Sequence, residues 1–300
     1  MVPLKNTSSL LTQTLFIILH FLTIVTKVQK FTNPRLLIKP AVVEFIGRFI
    51  MKEKLVFFLL LVLNFSLNSQ EIYDNFYKFK AELYNTPSEK TAAAIDEHRN
   101  KIEKMQISEE EKLTLQNFLV LEEINLLNRD KNNKKKIYLV LKKQNEESAA
   151  FMQGKKNSKA DKWFLLSWAD IKSRYIAFLS GQDIQKEAND TKMLYLAALK
   201  KDKKFAPASI SFGLWLFFAP PIVGGGYENS LNEISKAVSN AKNNYEKYLA
   251  LIFRAQVNFA LENFELSQKD LKDASILIPD ETFTLFIEEL NKNGKIFFSK

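Results

Sequence analysis

The chain has 300 residues, no cysteine, and only 8 glycines and 8 prolines. The missing cysteine excludes disulfides, thiolate catalysis, Cys-based zinc sites and a lipid-modified N-terminal cysteine, and the few turn-forming residues beside much Leu, Lys, Ala and Glu point to helix. The net charge of +9 is not spread evenly: residues 1–69 hold eight bases against two acids, and residues 70–300 hold 35 against 32. The densest basic run, Lys134-Lys135-Lys136, reads as a solvated face, so nucleic acid is not an expected partner.

Taken in order, the chain begins with fifty residues ahead of a second methionine. From Met51, Lys52 and Lys54 form a basic region, Leu55 to Leu63 an unbroken apolar run, and Asn64 to Gln70 a polar tract ending near a small Ser69. That is the layout of a secretory signal peptide, with an apolar core too short to span a bilayer. Gly47-Arg48, just ahead of Met51, is encodable by a purine-rich GGNAGG of the kind that binds ribosomes. The expectation is a start at Met51, with residues 1–50 as translated upstream sequence, residues 51–69 as signal peptide, and export to the periplasm. The alternative takes residues 1–50 at face value. Leu10 to Val28 then joins the second apolar run in an inner-membrane hairpin, and the membrane is met only through these N-terminal segments.

The body reads as helix throughout. Ile72, Phe76, Phe79 and Leu83 keep helical spacing. Thr86-Pro87-Ser88-Glu89 predicts a helix start capped by Thr or Ser, and Ser108-Glu109-Glu110-Glu111 a capping box. Further helices are predicted over 137–152, from Trp163 through Phe178 to a Gly181 terminator, and over 184–199. After an aromatic stretch come helices over 228–242, 245–261, 264–278 and 282–290. The tail from Gly294 is apolar enough to dock. No alternating strand pattern occurs. Residues 70–157 form an N-terminal helical region and residues 158–300 a repeat region.

Within that region three helices share a small-residue register centred on Ala198, Ala237 and Ala274, 39 and 37 residues apart. Counting back from Pro279 places Ala255, Ala274 and Ser267 at small crossing positions, Leu271 at a large one, and Gly213 at a crossing in the preceding unit. Over residues 159–281 the chain resembles the tetratricopeptide family, whose period is about 34 residues, although the signature Trp, Leu and Tyr are mostly absent. The resemblance implies an all-α fold of antiparallel helix hairpins, in a right-handed solenoid or compact bundle. The stretch Trp215 to Glu228, an aromatic helix followed by Ala-Pro-Pro, Gly-Gly-Gly and a second helix, is also similar to the tetratricopeptide T-components associated with TRAP transporters. That similarity implies an apolar groove or pore delivering a small ligand.

The candidate site is therefore Trp168, Trp215, Phe218, Pro220, Pro221, Gly224, Gly225, Gly226 and Tyr227, binding another protein or a small apolar ligand. The three glycines precede a helix, so their N–H groups are candidates for an anion cradle. No P-loop Lys-Ser/Thr follows, and tight helix packing is the competing reading. The aromatic set, which also includes Trp163 and Phe217, is either groove or core. His98 reads as a surface histidine, and Asp270 and Asp273 as an ordinary exposed face. No catalytic constellation, metal-ligand spacing or cofactor motif is present, so the expected activity is binding rather than catalysis.

Overall fold

Ser108 shows how the sequence sets its helix boundaries. Its hydroxyl accepts from the Glu111 N–H at 3.2 Å, and the Glu111 carboxylate accepts from the Ser108 N–H at 3.0 Å. This reciprocal pair satisfies N–H groups that a helix start leaves open. Asp161 and Asn243 cap later helices through the side chain alone, accepting from Trp163 N–H and Glu246 N–H at 2.8 Å. In the computed structural model, which describes residues 72–297 apart from 81, 84, 85 and 279–281, no strand occurs among the described residues. The expectations for residues 1–71 lie outside the described residues.

The first helix, α1, covers 72–80, with helical residues again at 82–83. It is followed by α2 (Ser88–Lys104), α3 (Glu109–Leu127), α4 (Lys134–Met152), α5 (Lys162–Tyr175) and α6 (Gln182–Lys201). Then come α7 (Ala206–Phe218), α8 (Tyr227–Asn240), α9 (Asn244–Ala260), α10 (Phe264–Leu277) and α11 (Thr282–Lys292). Two boundaries differ from the sequence reading. Pro87, not Thr86 or Ser88, holds the cap position of α2, and the Thr86 hydroxyl turns back to the Glu82 carbonyl at 3.0 Å. The aromatic helix α5 stops at Tyr175, and Phe178 lies in a separate 3-10 turn. Gly181, at φ +60°, opens α6 instead of ending α5.

The helices pair as hairpins. The most extensive contacts join α5 to α6, α7 to α8, and α9 to α10, with α3 and α4 forming an earlier pair. The first helices of successive hairpins also touch: α3 meets α5, α5 meets α7, and α7 meets α9. This is a helical-hairpin repeat bundle. Its register is set by small side chains at the crossings. Ala198, Ala237, Ala255 and Ala274 are fully buried, and Ser267 and Leu271 almost so. At the α7–α8 crossing Gly213 lies against Ile234, and the Ser230 hydroxyl donates to the Gly213 carbonyl at 2.7 Å.

A buried amide ties the first hairpin to the second. Asn117 on α3 donates to the Ser167 hydroxyl of α5 at 3.1 Å. Its carbonyl accepts from Gln144 and Ser148 of α4 at 2.8 and 3.2 Å. In the last hairpin, Asp270 accepts two hydrogen bonds from the Arg254 guanidinium at 2.6 and 2.8 Å and is almost fully buried. Its partner in the expected exposed face, Asp273, does bond Lys269 at the surface. The expectation therefore fails for Asp270, because its side of α10 turns onto α9. As far as it is described, to residue 297, the tail docks: the Phe297 N–H donates to Gln256 at 2.6 Å.

Candidate functional site

The loop between α7 and α8 is built by its prolines and glycines. α7 ends where Ala219 becomes extended, and Pro220-Pro221 forbid its continuation. Pro221–Val223 then make one 3-10 turn, closed by a left-handed Gly224 at φ +86°. Gly225 packs so closely on Ala219 that a Cβ would lie 1.8 Å from the Ala219 oxygen. Here glycine is required by the close approach of two backbones.

Every glycine N–H in this loop is already used. Gly224 donates to Pro221 at 2.9 Å, Gly225 to Pro220 at 3.1 Å, and Gly226 to Leu216 at 2.8 Å. The anion cradle is therefore absent, because its donors are spent on the turn itself. Two side chains brace the loop from outside: Lys192 of α6 donates to the Val223 carbonyl at 2.7 Å, and Asn229 to the Gly224 carbonyl at 3.1 Å.

This braced loop holds apolar side chains out to solvent. Ile222 is 93% exposed and Phe218 63%. Val223 and Tyr227 are exposed to lesser degrees, and Tyr227 stacks on the buried Phe217 ring at 4.5 Å. Ile222 and Val223 escaped the sequence reading. Their signal is an apolar pair between Pro-Pro and Gly-Gly, where no helix face exists to bury them.

The nine candidate residues do not form one cluster. Phe218, Pro220, Pro221, Gly224, Gly225, Gly226 and Tyr227 make up the loop and its flanks. Trp215 lies behind it in the core, stacked with Phe212 at 6.0 Å. Trp168 sits on α5, where its ring N–H donates to Asn145 of α4 at 2.8 Å and Lys172 lies over the ring. Its ring and polar neighbours belong to α4 and α5, not to the loop.

A second feature lies where α5, α6 and α7 meet. The partly accessible Asp170 carboxylate accepts from the Tyr195 hydroxyl at 2.8 Å and the Ser211 hydroxyl at 3.3 Å. Burial pushes this carboxyl up to about 6, against the opposing pull of the two hydroxyls and of the nearby Arg174 and Lys80 charges. His98 is not the plain surface histidine expected. It is half-buried on α2, and the Phe79 ring of α1 stacks on it at 3.7 Å with 12° between planes. Burial, joined by the Lys101 charge, holds it below the ordinary imidazole range, with Glu97 opposing. A cleft of about 150 Å³ lies beside this pair, lined by Glu82, Ala94 and Lys101 among others.

Among the described residues no group of three or more His, Cys, Asp or Glu is placed to hold a metal ion, and no helix is long and apolar enough to cross a membrane. The fold and these sites define an all-α helical-hairpin repeat protein. No family model matches the chain, and none of the curated proteins resembles it significantly in sequence.

Proposed function

We propose that this is an exported helical-repeat binding protein, of tetratricopeptide type and similar in its α7–α8 loop to the T-components of TRAP transporters. It takes a partner protein or a small apolar ligand at the end of α7. The observation that carries this reading is the apolar tip of Phe218, Ile222, Val223 and Tyr227, exposed although the loop beneath it is fixed by hydrogen bonds. A soluble surface rarely spends so many apolar side chains on a rigid projection without a use for them. Export is supported by the signal-peptide layout from Met51.

The reading is tested by Phe218→Asp with Ile222→Asp. Ile222 is 93% exposed, and Phe218 is 63% exposed with its ring 5.2 Å from that of Phe217, so the melting temperature should fall only slightly while a photo-crosslinker at Tyr227 loses its dominant adduct. A crosslinking pattern that the double variant leaves unchanged, with no small molecule retained through purification, would overturn it.

A further inference from the structure

The basic charge of residues 70–300 is gathered in one place. They hold 35 bases against 32 acids, and seven of those bases but only one acid fall in residues 129–143. The remainder is therefore net acidic. All seven bases are exposed.

α4 arranges its lysines around an apolar side chain. Leu139 is 52% exposed. Its neighbours on the helix surface are the residues three and four away on either side, and these are Lys135, Lys136, Lys142 and Lys143. On a plain solvated helix, acids one turn on answer the lysines, as Glu146 and Glu147 answer Lys142 and Lys143 at 3.9 and 3.7 Å. One turn beyond Lys134, Lys135 and Lys136 stand Tyr138, Leu139 and Val140 instead. These three lysines form no ion pair among the described residues. They also fill the first turn of α4, where the helix dipole disfavours cations and no acid stands. Their placement does not serve the fold.

The apolar member of the cluster decides between anionic partners. The Tyr138 ring is committed to Tyr175 and Phe178, 5.9 Å from each, so it is not presented to a nucleic-acid base. Leu139 offers nothing to a phosphodiester. A bilayer surface is anionic over a broad area and apolar just beneath it, which matches an exposed leucine ringed by long, flexible cations. We infer that the α4 face centred on Leu139 is a docking surface for an anionic lipid bilayer, with Leu139 entering between the headgroups and the lysines of the first turn meeting their phosphates. This face shares no residue with the α7–α8 tip, so Ile222→Asp leaves it unchanged and failure of either reading is visible alone.

The chain has no cysteine, so Asn132→Cys in the full chain takes a single environment-sensitive dye inside the lysine cluster. A local dye is needed because residues 1–69 carry apolar and basic runs of their own. Vesicles of phosphatidylcholine with about one third phosphatidylglycerol should shift its emission to the blue, and pure phosphatidylcholine vesicles should not. A dye at Ile276→Cys, 68% exposed on α10, should respond to neither. Lys134→Gln, Lys135→Gln and Lys136→Gln together should weaken the binding read at residue 132 at least about tenfold. The same change should not lower the melting temperature, since it removes cations from the positive end of α4. Leu139→Gln should weaken binding by about threefold. No shift at residue 132, an equal shift with uncharged vesicles or at residue 276, or a triple variant that binds like the unmodified chain overturns the inference. So does release of the vesicles by a stoichiometric single-stranded oligonucleotide, which would make the face a nucleic-acid site.

Discussion

Gly213 and Ile234 touch across the α7–α8 crossing with no room for a methyl group: a Cβ on Gly213 would sit 2.3 Å from the Ile234 side chain. Ile234 is fully buried, so it cannot swing away into solvent. Gly213→Ala should therefore cost about 1–3 kcal/mol, the usual range for overpacking. A urea titration checks this, and Gly213→Ala with Ile234→Val should recover part of the loss.

Asp270 and Arg254 form the best-buried ion pair of the last hairpin. Removing the carboxylate strands a guanidinium that is itself only partly solvated, so Asp270→Ala should cost on the order of 3 kcal/mol. Asp273→Ala, one turn away on an exposed pair with Lys269, should change stability by less than about 0.5 kcal/mol. Equal effects in thermal melts would mean that the two carboxylates are equivalent, as their sequence context suggests.

His98 ties the α1–α2 packing to pH. Its folded value lies below the ordinary 6.5, so the unfolded chain takes up the proton first as pH falls. The contribution of His98 is therefore whole above pH 6.5 and is lost as pH drops toward its folded value. Proton NMR of the imidazole should give a midpoint below 6.5, and His98→Phe should remove this part of the acid sensitivity.

Asp170 acts in the opposite sense. Its carboxyl is raised from 3.8 to about 6, so the folded protein holds the proton longer than the unfolded chain. Its contribution is whole below pH 3.8 and is lost as pH rises through about 6. Arg174 of α5 and Lys80 of α1 both favour ionisation without cancelling the burial. Stability curves of Asp170→Asn from pH 4 to 7 should be flatter on this account by about 1–3 kcal/mol. An unchanged curve would show that water reaches the carboxylate freely.

Much of the fold was legible along the chain, because capping and turn chemistry are local. Ser108 and Glu111 announce their box within four residues, and Ala198, Gly213 and Ala274 mark crossings by size alone. What could not be read depends on contacts between distant segments. Nothing near Asp270 foretells Arg254 on the preceding helix, and nothing in the polar run around His98 foretells the Phe79 ring. The same holds for the site. The loop was recognisable from Pro220 to Gly226, but the spent glycine N–H groups and the bracing Lys192 emerge only once the helices are assembled. The spacing of Phe76 and Phe79 gave α1 as a helix and left open which surface receives it.

The Asn117 amide has a consequence for how the protein opens. One side chain bonds three residues on two neighbouring helices, so α3 cannot slide by a turn without breaking all three bonds together. Helices α3, α4 and α5 should consequently exchange their amide hydrogens as one cooperative unit, with nearly equal protection factors. The terminal α11 is joined to α9 by Gln256 with Asn291 at 3.0 Å and by Tyr248 with Thr284 at 2.9 Å, and, packed mainly on α9 and α10, it should open ahead of the block around Asn117. A hydrogen-exchange map of the chain would then show a slow block centred on Asn117 and a gradient of increasing exchange toward the C-terminal end.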